Sequence, residues 1–69
     1  MIKVINIEFD SEASVYFTAS SDIPGLILES ENCEKLMNRC VLAVPELLEL
    51  YGEKTDESIT LRFTIDWKL

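Results

Sequence analysis

The sequence predicts an α+β fold with element order β-β-β-α-β: a four-stranded sheet with one helix on one face. Three stretches of the 69 residues carry that prediction. Residues 58–67, SITLRFTIDW, alternate without a break. Ile59, Leu61, Phe63, Ile65 and Trp67 form one side; Thr60, Arg62, Thr64 and Asp66 form the other, which is the period of a half-buried strand. Residues 2–9 and 14–20 also alternate, around a polar break at Asp10, Ser11, Glu12 and Ala13. That is the signature of an antiparallel hairpin. Between these and the last strand, apolar residues from Cys33 to Tyr51 recur at three- and four-residue steps, giving one wide helical face.

In the first strand Ile5, Ile7 and Phe9 share a side, and Ile2 and Val4 join Asn6 and Glu8 on the other. In the second, Val15, Phe17 and Ala19 oppose Tyr16 and Thr18. The chain then runs through Asp22-Ile23-Pro24-Gly25. Pro24 presets φ at the second turn position and Gly25 admits positive φ at the third, so a type II turn is expected. Asp22 is placed to accept backbone hydrogen bonds there. Leu26 to Glu29 read as a short third strand.

Asn32 is the expected N-cap, with Glu34 in the first turn. The helix should reach Leu50 or Tyr51 and stop at Gly52. Pro45 lies inside it and removes one backbone bond. Because the apolar pattern stays in phase across Pro45, one bent helix is expected rather than two helices over 33–43 and 46–51. Residues 53–57 form a polar loop. The last strand should run parallel to the first, with the helix as the crossover. The second sheet face then stays uncovered, presenting Ile2, Val4, Tyr16 and Ile27 among Asn6, Glu8, Thr18, Arg62 and Thr64. That face and the sheet edges are the expected association surfaces.

A single domain is expected over 1–69. A chain this short buries only about 60% of its unfolded surface, so self-association or a bound partner is a natural source of extra stability, and a homodimer is expected. The net charge is −7, from 13 acids against 6 bases, with no His. Lys3, Lys35, Arg39, Lys54, Arg62 and Lys68 are scattered rather than gathered into a basic patch. Direct binding of nucleic acid is therefore not expected. The acidity suits a basic protein partner, although it also serves solubility alone.

Cys33 and Cys40 are seven residues apart on one helix, about 10.5 Å along its axis. A disulfide needs Cα atoms within about 7 Å. Free thiols, and with them a cytoplasmic location, are expected. Met1-Ile2-Lys3 does not open a signal peptide, and no apolar run reaches membrane-spanning length.

The sequence offers little for catalysis. Without His, and with both cysteines on the apolar face, no nucleophile–base pair can be assembled. Gly25 and Gly52 cannot make a phosphate loop. Asp10, Glu12, Asp22 and Glu29 read as solvated turn residues rather than a metal cluster. The expectation is a non-catalytic chain with no metal and no cofactor. Tyr16 and Trp67 read as packing or interface aromatics. The candidate partner interface is Ile2, Val4, Glu8, Tyr16, Arg62 and Trp67.

The run DSEASVYFTASSDIPGLILESEN, from Asp10 to Asn32 and followed by an acidic amphipathic helix, resembles the HicB antitoxin family. Its motifs fall on Asp10-Glu12-Ala13, Val15-Tyr16-Phe17, Asp22-Ile23-Pro24-Gly25, Leu26-Ile27-Leu28 and Asn32. Pro45-Glu46-Leu47-Leu48 followed by Tyr51-Gly52 is similar to a short HicB-like subgroup of bacterial proteins. The resemblance covers nearly the whole chain. It implies a partial ribonuclease H-like β-β-β-α-β unit that is not itself a nuclease. It also implies a small basic HicA-like toxin as partner, a messenger-RNA-cleaving protein that the antitoxin neutralises. Family members bind operator DNA through a separate C-terminal segment. This sequence ends at Leu69, directly after the last strand, so autoregulation is not expected of it alone. The alternative is a self-associating structural or interaction domain with no toxin partner.

Overall fold

A computed structural model describes residues 1–53 and 58–67. β1 (Ile2–Asp10) and β2 (Val15–Ser21) pair antiparallel. Asp10 closes the turn between them: its Oδ1 accepts from the backbone N–H of Glu12 at 3.0 Å and of Ala13 at 3.2 Å. Here a carboxylate stands in for a backbone acceptor, which suits Asp to turns.

β3 is Glu29–Ser30 and α1 is Cys33–Leu50. Asn32 caps the helix, its Oδ1 accepting from the Lys35 N–H at 2.9 Å. Leu36, Cys40, Val44 and Leu48 form its buried line. They pack with Ile5 and Ile7 of β1 and with Ile23 and Leu26 to form the core. The helix ends in a Schellman motif. Gly52 has φ 74°, its N–H reaches the Glu49 carbonyl at 3.1 Å, and the Glu53 N–H reaches Leu48 at 2.9 Å. Pro45 lies in an unbroken helix, as one of the two expected outcomes had it. Its ring is on the exposed side, while Val44 and Leu48 on either side hold the core face in phase.

β4 (Thr60–Asp66) returns parallel to β1, Ile5 lying opposite Phe63, as the crossover requires. The sheet order is β3-β2-β1-β4, so β3 and β4 are its edges. The fold is thus the expected α+β arrangement of four strands and one helix. Part of the expected 53–57 loop lies outside the described residues.

Two expectations need correction. The third strand is shorter and later than expected. Instead of Leu26 to Glu29, the ladder with β2 holds Glu29 and Ser30, and one further backbone bond runs from the Thr18 N–H to the Leu28 carbonyl at 3.1 Å. Leu26 turns into the core and Ile27 is 86% exposed. The Thr18 hydroxyl replaces part of the ladder: it accepts from the Leu28 N–H at 3.0 Å and lies 3.2 Å from the Leu26 carbonyl.

The second correction concerns the two sides of β2. Phe9 pairs with Tyr16 and Ile7 with Thr18. Residues opposite one another in a ladder project to the same face. Tyr16 and Thr18 therefore lie on the helix side, and Val15 and Phe17 lie on the uncovered face. A register shift between Asn6 and Ile7 separates this part of the hairpin from its other end. Ile27 belongs to the connection before β3 and is outside the sheet. The uncovered face carries Ile2, Val4, Asn6 and Glu8 of β1, Val15 and Phe17 of β2, and Thr60, Arg62, Thr64 and Asp66 of β4. Asn6 and Thr64 are joined across it, the Thr64 hydroxyl donating to Asn6 Oδ1 at 2.8 Å.

Candidate interaction surfaces

The Asp22-Ile23-Pro24-Gly25 stretch is built into the core. The Leu26 N–H reaches the Ile23 carbonyl at 3.4 Å and Gly25 has φ 75°, the geometry of a type II turn. Asp22 extends the β1 pairing: its N–H donates to the Val4 carbonyl at 2.9 Å and its Oδ2 accepts from the Val4 N–H at 2.8 Å. Ile23 is only 2% exposed. A Cβ on Gly25 would lie 3.0 Å from the Tyr51 hydroxyl and 3.1 Å from its ring. The turn thus has a structural task, which is to deliver Ile23 and Leu26 to the core beneath the helix C-terminus.

The six candidate interface residues separate into two groups. Ile2, Val4, Glu8 and Arg62 share the uncovered face. Tyr16 and Trp67 do not; they join Phe9 on the helix side. Trp67 stacks on Phe9 with centroids 4.8 Å apart, and Tyr16 meets Phe9 at 4.9 Å. Sequence reasoning missed Phe9 and Phe17 as surface aromatics. The signal was the hairpin register, which two alternating strands do not reveal separately.

At the end of the sheet, Glu8, Phe9, Asp10, Glu12, Phe17 and Trp67 line a shallow cleft of about 390 Å³. Asp66 lies beside it, opposite Glu8 in the ladder. Two exposed carboxylates, Asp10 and Glu12, thus share a cleft with the rings of Phe9, Phe17 and Trp67, and Trp67 is 56% exposed. An aromatic ring beside carboxylates is a setting that accepts a guanidinium or ammonium group.

The chemistry of the remaining groups is limited. Cys33 and Cys40 are free thiols. Burial pushes the Cys40 pKa up, partly opposed by the charge of Arg39. A buried thiol of raised pKa is a poor nucleophile. Among the described residues no three His, Cys, Asp or Glu side chains are grouped to hold a metal ion. Arg39 instead ties the helix to β3, donating to the Glu29 carbonyl at 2.6 Å. Lys3 and Glu53 form an ion pair at 3.7 Å. Among the described residues no helix is long and apolar enough to cross a membrane.

Comparison with known proteins places the chain in a family. The family model described as "Domain of unknown function (DUF1902)" matches residues 2–68. The chain is also similar to a solved structure, that of hypothetical protein TTHA1013 from the extremely thermophilic bacterium Thermus thermophilus. The two share 32% sequence identity with a TM-score of 0.88, over 100% of this chain and 97% of that one. No curated protein matches.

Proposed function

The chain belongs to the DUF1902 family, and on that premise we propose that it is a non-catalytic, HicB-like protein-interaction module, an antitoxin that covers a small basic RNA-cleaving toxin. The observation that carries this role is the cleft at the end of the sheet, whose lining combines the acids Glu8, Asp10 and Glu12 with the aromatics Phe17 and Trp67. The net charge of −7 points to the same kind of partner. So does the Asp10 to Asn32 motif order, which resembles HicB antitoxins. An Arg or Lys of the toxin would enter the cleft between the carboxylates and the Trp67 ring. Binding of this kind is steered by charge and weakens with salt. The module acts in the cytoplasm and contacts no nucleic acid itself.

Co-expression with the product of whichever reading frame adjoins the gene tests this role, and a small basic product there is the expected partner. A co-purifying complex that rescues growth arrest, and that loosens in high salt or with Glu12→Lys, is the expected result. No complex and no rescue would remove the antitoxin role.

A second role, self-association without a toxin, is favoured by a different observation. β4 is a seven-residue edge strand with Ile65 49% exposed on its helix side.

A further inference from the structure

We propose that β4 pairs antiparallel with β4 of a second copy of this chain, on a two-fold axis through Thr64, joining two sheets into one of eight strands. This deepens the self-association role and rests on it, independently of the antitoxin role.

Among the described residues no strand pairs with the outer edge of β4. The Thr60 N–H donates to the Met1 carbonyl at 2.9 Å, so Thr60 turns its peptide groups toward β1. Strand residues alternate in this respect, so Arg62, Thr64 and Asp66 do the same. Leu61, Phe63 and Ile65 turn theirs outward. No Pro interrupts β4, and its register with β1 is continuous from Ile2–Thr60 to Glu8–Asp66. An edge of this length, unblunted, is a template for another strand.

Self-complementarity selects a second copy as the occupant. About Thr64 the strand reads Leu61-Arg62-Phe63-Thr64-Ile65-Asp66-Trp67. An antiparallel partner centred there sets Phe63 against Ile65, Leu61 against Trp67, and Arg62 against Asp66. Two-fold symmetry makes every pair twice. The apolar pairs fall on the helix side and the charged pairs on the uncovered face. Neither Arg62 nor Asp66 has an ion pair or side-chain hydrogen bond among the described residues. Phe63 and Ile65 would exchange backbone hydrogen bonds, while Arg62 and Asp66 would form a non-hydrogen-bonded pair, in which side chains approach more closely. Centring the pair on Phe63 instead sets Arg62 against Thr64 and Asp66 against Thr60, which loses the charge match.

The helix leaves room beside this edge. Ala43, Leu47 and Leu50 of α1 line a pocket with Gly25–Leu28, on the β3 side. By helical spacing Met37 and Val41 lie on the opposite flank, toward β4, and Val41 is exposed there. A second copy would add its Ile65 and Trp67 to that apolar strip.

Sedimentation of the full chain across micromolar concentrations, with and without charge reversal, tests the pairing. The expected result is a dimer that Arg62→Asp or Asp66→Arg each weaken roughly tenfold or more, because each reverses two symmetric charge pairs. The double variant R62D/D66R should recover it. A thiol probe then reads the register: Thr64→Cys should cross-link to a covalent dimer under mild oxidant, and Arg62→Cys should not. A monomer at every concentration overturns both this pairing and self-association. A dimer in which Thr64→Cys fails to cross-link and the charge reversals have no effect overturns the β4 pairing and leaves self-association by another surface.

Discussion

The two edges of one sheet are treated very differently. β3 is two residues long, and its approach is closed by side chains. The Thr18 hydroxyl holds Leu28, and Arg39 holds Glu29. Ile23 and Leu26 plug the core beside it. β4 is seven residues long and regular, and among the described residues no strand pairs along its outer side. One edge is cut short by side-chain hydrogen bonds; the other runs on for seven residues. Local polar chemistry terminates a sheet without a partner, whereas an uninterrupted apolar alternation leaves it open to one.

Substitutions can break this contrast from either side. The largest effect is expected from Ile23→Ala, which empties a fully packed site in the β3 plug. It should cost about 2–5 kcal/mol in urea unfolding. Gly25→Val should cost about 1–3 kcal/mol, because a β-branched residue resists positive φ. Its Cβ would also press on the Tyr51 ring, at 3.0–3.1 Å. A neutral result for Gly25→Val would contradict the turn geometry. Thr18→Val keeps the shape but leaves the Leu28 N–H without its side-chain acceptor, at a cost of about 1 kcal/mol. If it instead lengthened β3, amide protection at Leu26 to Leu28 would reveal it. On the other edge, Ile65→Lys should change unfolding stability by only about 0.5 kcal/mol, since the side chain is half in solvent. Its effect should appear in self-association, which an edge Lys abolishes.

The regular parts of the fold were legible because each depends on local pattern. The unbroken alternation from Ile59 to Trp67 marked β4, and Asn32 with Glu34 marked the helix start. Pro24 and Gly25 specified the turn type. What was not legible depends on contacts between distant residues. Both sides of β2 carry an aromatic ring, Tyr16 on one and Phe17 on the other, so alternation alone did not say which side met the helix. The Phe9–Tyr16 pairing decides it. Leu26-Ile27-Leu28 had strand composition, yet Leu26 gains more from the core than from a ladder, and Thr18 supplies the hydrogen bonds a strand would have made. The cleft was hidden for a similar reason. Asp10 and Glu12 look like ordinary turn residues until β1 and β4 bring Phe9 and Trp67 beside them.

The open edge of β4 is tested most directly by amide hydrogen exchange at single residues. Arg62 and Thr64 turn their amides toward β1, whereas Phe63 and Ile65 turn theirs outward. Raising the protein concentration through the association range should leave Arg62 and Thr64 protected throughout and slow exchange at Phe63 and Ile65 as the second copy binds. Phe63 and Ile65 amides that exchange freely at every concentration, in a sample that sediments as a dimer, would contradict the β4 pairing.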